Sequence, residues 1–371
     1  MTTSIARIPS GPVALRPVWR SALRRWFLDR QLEGWLRDLT PTASLRETRA
    51  RVVRIVDETH DTRTFVLAPN ARWTGHRAGQ HVTVAVEIDG VRVRRCYSLS
   101  SAPGAAHPTI TVKRVPGGRV SGFLHDHIRE GDVIGLEGVG GDFVAPVRVS
   151  RPLLFIAGGS GITPILSMLD DLAARGGLAD AVVLDHVRSA EDVIGRSRLA
   201  SLQACHPGLR VHVLRDDDPG GPGRFDPAHV AGLVPDAAAR DVYLCGPAGL
   251  MDAVQAWWDG VQPSRPLHRE TFRMEVPVPR PGAAVRVTLP DGAAVTLSGQ
   301  GTLLEQLEQA GLSPRNGCRM GICRTCTCRK SRGVVEDIRT GAVSDGPDED
   351  ISLCVSVPRT DLELDLTPER P

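Results

Sequence analysis

The sequence predicts a multidomain protein in which an antiparallel β-barrel, a parallel-sheet α/β unit and a small α+β unit follow one another behind a helical N-terminal extension. Three observations lead there. Alternating strand-like runs give way near residue 150 to apolar runs separated by helical stretches. A proline-rich segment with Pro277, Pro279 and Pro281 follows, and beyond it four cysteines crowd into the eleven positions from Cys318 to Cys328. The 371 residues leave room for two or three domains of about 100–200 residues each.

Composition removes several functions. The formal net charge is +2, and 43 of the 45 basic residues are arginine, so arginine abundance reads as a compositional bias and nucleic acid is not an expected partner. No run of 18 apolar residues occurs, and the first residues, MTTSIARIPSGPVALRPVW, lack the continuous apolar core of a secretory signal. The expected location is the cytoplasm. Eight cysteines, four of them near neighbours, do not make a disulfide framework.

Residues 1–46 carry two apolar stripes at helical spacing, Trp19, Leu23, Trp26 and Phe27, then Leu28, Leu32, Trp35, Leu36 and Leu39, with Arg20, Arg24, Arg25 and Arg30 between them. At about 100° per residue the stripes fall on opposite sides, so the basic amphipathic helix breaks or serves two neighbours. Two readings stay open for residues 17–39: packing on the following domain, or a peripheral seat at the inner face of a membrane. Residues 47–150 contain RVVRIV, TRTFVLAP, HVTVAVEI and TITVKRV, punctuated by Gly and Pro, which predicts an antiparallel barrel or sandwich. In residues 151–272, LLFIA, AVVLDHV, LRVHVLR and DVYLCG alternate with helical stretches such as ILSMLDDLAAR, which predicts a parallel sheet with crossover helices. The prolines of 273–282 read as a semi-rigid spacer, and 283–371 as a last domain with a PDG hairpin and the helix TLLEQLEQAGL.

Within the last domain, NGCRMGICRTCTC has the C-x4-C-x2-C spacing of Cys318, Cys323 and Cys326, with Cys354 the one later cysteine. Four thiolates at that spacing suit a 2Fe-2S cluster, and Gly321 lets the backbone turn closely around it. A structural zinc site is the alternative, but zinc ribbons usually present two C-x2-C pairs and only one is present. Cys328 reads as a bystander thiol. In the middle domain, IAGGSGITP puts Gly158, Gly159, Ser160, Gly161 and Thr163 between an apolar strand and a helix, where a phosphate could approach free amides; a plain strand-to-helix turn is the alternative. Cys245-Gly246-Pro247 follows another strand, and Pro alone could explain it as a helix start. In the first domain, RCYSLSSAP offers an arginine for a phosphate, a tyrosine ring for a flat heteroaromatic and Ser98 for a ring nitrogen, against exposed strand positions as the plain reading. VKRVPGGRVSGFLHDHI adds Gly118 and Ser121 at a helix start.

In that order these motifs resemble the ferredoxin-NADP reductase superfamily over residues 47–272, and 283–367 resembles the β-grasp of plant-type ferredoxins. The whole arrangement is similar to the phthalate dioxygenase reductase type and to reductases serving fatty-acid desaturases. The resemblance implies that Arg95 binds flavin phosphates, Tyr97 stacks on the isoalloxazine and Ser98 contacts N5, while Lys113, Gly118 and Ser121 hold the pyrophosphate. It implies Gly159, Gly161 and Thr163 at the nicotinamide nucleotide, Cys245 and Gly246 near the hydride-transfer site, and Glu270 and Phe272 closing the flavin pocket. FAD is the implied flavin because VSGFLHD is similar to FAD-binding members, with FMN second. Arg188 and Ser189, after AVVLDHV, stand where the ribose 2′ position is read, so NADPH is the expected donor; Asp185 and Asp192 keep NADH as the alternative. The implied function is electron transfer from NAD(P)H through flavin and 2Fe-2S to an external oxygenase, hydroxylase or desaturase. A stand-alone diaphorase or ferric or quinone reductase is a second reading, and a redox-sensing regulatory subunit a third. Arg319, Arg324 and Arg329, flanking the cluster loop, suggest an acidic docking partner.

Overall fold

A computed structural model describes residues 40–88, 90–218, 225–261, 265, 267–272, 283–317, 319, 321 and 324–366. The helical stripes at 17–39 and the proline spacer 273–282 lie outside these residues. By its contacts the chain separates into Met1–Arg46 and Glu47–Pro371.

The first sheet is formed by β1 (Thr48–Thr59), β2 (Thr62–Pro69), β3 (His81–Ile88), β4 (Val91–Ser98), β5 (Thr109–Lys113) and β6 (Val133–Gly140). Its order is β4-β3-β6-β1-β2-β5, and a bridge between Leu99 and Ile110 joins the two edge segments, so the antiparallel sheet curls towards closure. Closure hides edges that would otherwise offer unpaired backbone groups. Val52, Phe65, Leu67, Val82, Val84, Leu99, Ile110 and Val112 fill the interior, capped by Leu124 of helix α1 (Arg119–Asp126).

The second sheet is wholly parallel, in the order β11-β10-β7-β8-β9, from β7 (Leu153–Gly158), β8 (Ala181–Val187), β9 (Leu209–Arg215), β10 (Asp241–Cys245) and β11 (His268–Glu270). Parallel strands covered on both faces read as unbroken apolar runs, and every residue of LLFIAG is buried. Helices α2 (Ile162–Ala174), α3 (Arg196–Cys205), α4 (Pro227–Leu233) and α5 (Ala248–Val261) supply the covering faces. One of the two resulting cores extends to Ala78, Phe143 and Ala145 from the barrel side, and Phe143 meets the Tyr243 ring edge-on at 5.9 Å. Burying Phe143 alone stabilises the junction by roughly 1.5–3 kcal/mol. Polar ties add to it: Ser167 Oγ donates to the Ser101 carbonyl at 2.6 Å, and Gly195 N donates to Glu58 Oε2 at 3.0 Å.

The last domain has β12 (Val285–Thr288), β13 (Ala294–Leu297), α6 (Leu303–Gln309), β14 (Thr327–Arg332), β15 (Val335–Asp337), β16 (Val343–Ser344), β17 (Glu349–Ser352), β18 (Ser356–Pro358) and β19 (Leu362–Asp365). The main sheet runs β13-β12-β19-β14-β17 and a small one β16-β15-β18. The PDG turn closes the β12–β13 hairpin with Gly292 at φ +83°, a conformation glycine adopts without strain. Thr302 and Glu305 form a reciprocal capping box at the start of α6, worth about 1 kcal/mol, and Leu303, Leu304 and Leu307 bury against Val285, Val287, Leu362 and Leu364. A helix packed on this mixed sheet is the β-grasp arrangement the resemblance implied. Among the described residues no helix is long and apolar enough to cross a membrane.

Candidate active site

Two strand pairs from different sheets meet at one junction. In the barrel, His81 at the start of β3 stands directly opposite Ser98 at the end of β4, and Val82 opposite Tyr97. In the parallel sheet, Cys245 at the end of β10 stands opposite Glu270 at the end of β11. His81 Nδ1 lies 3.5 Å from Glu270 Oε1, with both side chains largely buried, so the pair joins the two sheets. Two polar atoms there are buried without a protein partner: Ser98 Oγ and Glu270 Oε2. Burial without hydrogen bonding is costly, so atoms of this kind call for a ligand. The residues therefore fit a polar-edged flat ring such as a flavin. Gly141, at φ +107°, passes the His81 ring so closely that a Cβ there would sit 3.0 Å from Nδ1.

Electrostatics at the junction keep the Cys245 thiol and the Tyr97 phenol neutral. Burial pushes the Cys245 thiol well up, and the Glu270 carboxylate adds to the effect, so Cys245 stands as S–H. Burial likewise raises the Tyr97 phenol, partly offset by Arg95. Tyr97 packs its ring against the barrel core.

The two nucleotide motifs touch. A Cβ on Gly161 would fall 2.0 Å from the Cys245 carbonyl oxygen and 2.8 Å from Gly246 N, and one on Gly158 would fall 2.7 Å from the Pro247 ring. Small residues are thus required by backbone-to-backbone approach. Gly159, at φ +52°, has open space on its Cβ side at the head of α2. Gly246 packs against Gly158. Thr163 is buried and spends its hydroxyl on the Ser160 carbonyl at 2.9 Å, so its part is to brace the loop.

Other sequence candidates sit nearby with partners of their own. Arg95 is half-buried on β4 and donates to the Arg94 carbonyl at 2.7 Å. Ser121 Oγ accepts from Val115 N at 3.2 Å and donates to the Gly118 carbonyl at 3.4 Å, pinning the turn before α1. Lys113 Nζ lies 3.0 Å from Asp61 Oδ2. The Arg188 side chain is mostly exposed, its Nε 4.0 Å from Asp192 Oδ2, to which Ser189 Oγ also donates at 3.2 Å. Phe272 is partly buried against the core that contains Phe143 and Tyr243.

At the cysteine loop, Cys318 and Cys323 lie outside the described residues. Cys326 and Cys354 are buried, and their segments are tied by Leu353 N donating to the Cys326 carbonyl at 3.2 Å. Gly321 N points at Cys354 Sγ at 3.2 Å, an amide-to-sulfur contact of the kind that stabilises a metal-bound thiolate. Gly321, Arg319 and Arg324 all have positive φ, which winds the loop tightly. The described donors fit a sulfur-ligated cluster. Cys328 is buried on β14 with its S–H directed at the Asp365 carbonyl, and burial pushes its thiol up to about 12, as suits a bystander. Two of the three flanking arginines are spoken for: Arg319 pairs with Glu308 at 3.0 Å and Arg329 with Asp348 at 3.2 Å.

His81 was not among the sequence candidates; its one signal was an ionisable residue opening the buried run HVTVAV. Glu58 was missed as well, since its role depends on Gly195.

A barrel, a parallel nucleotide sheet and a β-grasp domain, with a polar cradle between the first two and a cysteine loop in the third, define a flavin- and iron–sulfur-dependent oxidoreductase. Residues 49–144 match the oxidoreductase FAD-binding domain, 155–256 the oxidoreductase NAD-binding domain and 288–359 the 2Fe-2S iron-sulfur cluster binding domain. The chain belongs to this family of NAD(P)H-dependent flavin iron–sulfur oxidoreductases, which carry electrons from NAD(P)H through flavin to a 2Fe-2S centre. It is 34% identical to an NADPH oxidoreductase of Mycobacterium tuberculosis, covering 90% of this chain and 88% of that one. It is 31% identical to the glycine betaine monooxygenase reductase subunit of Pseudomonas aeruginosa, over 85% of this chain and 94% of the relative. Phthalate dioxygenase reductase superposes with a TM-score of 0.64 at 28% identity, over 86% of this chain and 98% of that one.

Proposed function

We propose that the chain is the reductase component of an oxygenase system, taking electrons from NADPH through FAD to its 2Fe-2S cluster and delivering them singly to a separate terminal oxygenase, hydroxylase or desaturase. The observation that carries it is the meeting of Ser98 and His81 from the barrel with Cys245 and Glu270 from the parallel sheet, which supports a flavin site and a nicotinamide site sharing one junction. The names of relatives support the oxygenase assignment: the glycine betaine monooxygenase and stachydrine N-demethylase reductase subunits are both 31% identical. When bound, FAD accepts a hydride and passes electrons on singly, which a nicotinamide cannot do.

The chain's own residues have defined tasks in this reading. Arg95, Gly118 and Ser121 bind the flavin phosphates, Tyr97 lies against the ring, and Ser98 Oγ hydrogen-bonds its edge. Lys113 reaches the pyrophosphate by leaving Asp61. Gly159 and Gly161 admit the nicotinamide nucleotide to the head of α2, where the backbone amides of a helix start favour an anion. Cys245 and Gly246 confine the nicotinamide, and a neutral thiol there adds no charge against the transferring hydride. Glu270 and Phe272 close the pocket. Cys318, Cys323, Cys326 and Cys354 hold the cluster. Arg188 and Ser189 receive the 2′-phosphate of NADPH. Steady-state kcat/KM for NADPH and NADH tests the donor: Arg188→Ala is expected to lose roughly tenfold for NADPH and little for NADH. A wild type that prefers NADH refutes it. Residues 17–39 provide a peripheral membrane contact in a further extension of this reading, and equal sedimentation with anionic vesicles of the full chain and of a chain starting at residue 47 would refute that.

A further inference from the structure

The reading above accounts for Glu270 but leaves His81 unused, although His81 is the residue that physically links the flavin-side and nucleotide-side strands. His81 is fixed from three directions. Its backbone is in register with Ser98 on β4, its ring lies against Gly141, and its Nδ1 stands 3.5 Å from Glu270 Oε1. Glu270 has one oxygen engaged in this way and the other, Oε2, buried and unpartnered. Glu270 sits at the end of the three-residue edge strand β11. A carboxylate so placed has no local hydrogen bond to choose its rotamer; among the described residues the imidazole is the partner that can.

We propose that His81 is a positioning residue that holds Glu270 across the junction, donating from Nδ1 to Oε1 so that Oε2 stays turned into the cradle with Ser98 Oγ. The proposal rests on the FAD assignment and deepens it, because it states how the carboxylate is kept beside the group that gains electrons. A fixed negative charge there opposes electron uptake. Removing the charge, or releasing it from its place, therefore makes the flavin easier to reduce.

The test is the flavin midpoint potential of the full-length holoprotein, read from its absorbance bands in a dye-equilibrated titration. Glu270→Gln is expected to favour reduction by about tenfold in the two-electron equilibrium, which is about 30 mV. His81→Phe, which keeps a ring but loses the nitrogen, is expected to shift it the same way by a similar factor. His81→Gln, which keeps a side-chain donor, is expected to stay within about threefold of the wild type. The double variant His81→Phe with Glu270→Gln is expected to go no further than the larger single shift, as for two groups acting as one unit. A wild-type potential in His81→Phe beside a shifted Glu270→Gln would overturn the proposal, as would simple addition of the two shifts. Loss of FAD from both His81 variants but not from Glu270→Gln would overturn it too, since His81 would then hold the cofactor itself. A wild type without flavin bands would overturn the FAD assignment and the proposal together.

Discussion

Asp185 gives the protein a built-in alkaline weakness that a single amide should relieve. It is fully buried on β8, on the face where Ala181 and Val183 join the core beneath α2, and neither carboxylate oxygen has a partner. Burial pushes its pKa from 3.8 to about 7. At 1.36 kcal/mol per unit, a rise of about 3 units costs the folded state roughly 4 kcal/mol once the group is ionised in both states. The folded protein binds this proton more tightly, so its contribution is fully present below about pH 4 and is lost as pH rises through about 7. Asp185→Asn removes the ionisation but leaves an amide without partners, which itself costs about 1–3 kcal/mol. The net gain at pH 8 is then roughly 1–3 kcal/mol, or about 3–10 °C in the melting of the nucleotide domain. At pH 4.5 the wild-type carboxyl is neutral and the variant should be no more stable than the wild type. Calorimetry of the holoprotein at both pH values checks this. An equal shift at the two values, or destabilisation at pH 8, would mean that Asp185 has a partner or water access and the reasoning fails.

His186, the next residue, should behave oppositely: burial lowers its pKa to about 4, so its stability contribution is present above 6.5 and lost as pH falls, and His186→Phe should soften the acid limb of the melting profile. Gly161→Ala would drive a methyl into the Cys245 carbonyl, and the forced backbone shift should cost roughly 1–3 kcal/mol and raise the KM for NAD(P)H several-fold, with FAD content retained by absorbance. Cys354→Ser should lose iron by elemental analysis while NADPH-driven reduction of a flavin-accepting dye survives and delivery to a one-electron protein acceptor collapses; undiminished delivery from iron-free protein would make the flavin the exit.

Much of this architecture was readable because its signals are local. The change from alternating to unbroken apolar runs near residue 150 follows directly from strands with one face or both faces buried. The Thr302–Glu305 capping box and the PDG turn are written within a few residues of each other, and so is the C-x4-C-x2-C loop. The site was legible as motifs but not as a site. That Gly161 is small because Cys245 lies against it depends on two segments far apart in sequence. His81 gains its place only when β3 registers with β4 and β11 approaches from another sheet. Spacing likewise could not show the neighbours of the arginines that flank the cluster loop: folding brings Glu308 beside Arg319 and Asp348 beside Arg329. Salt dependence of delivery should accordingly be weaker than three unpaired arginines would give.

The reach of one core through Ala78, Phe143 and Ala145 also sets how this chain can be recombined with its relatives. Residue 150 is where the strand pattern changes, yet the apolar packing does not stop there. A chimera joined at 150 would confront a foreign nucleotide half with a Phe143 placed to meet Tyr243 of its own chain. Grafts that travel well should move the barrel and the parallel sheet together, up to and including Phe272. On the proposed assignment of Arg188 and Ser189 to the ribose 2′ position, point changes there are a better test of donor preference than exchange of the half that contains them.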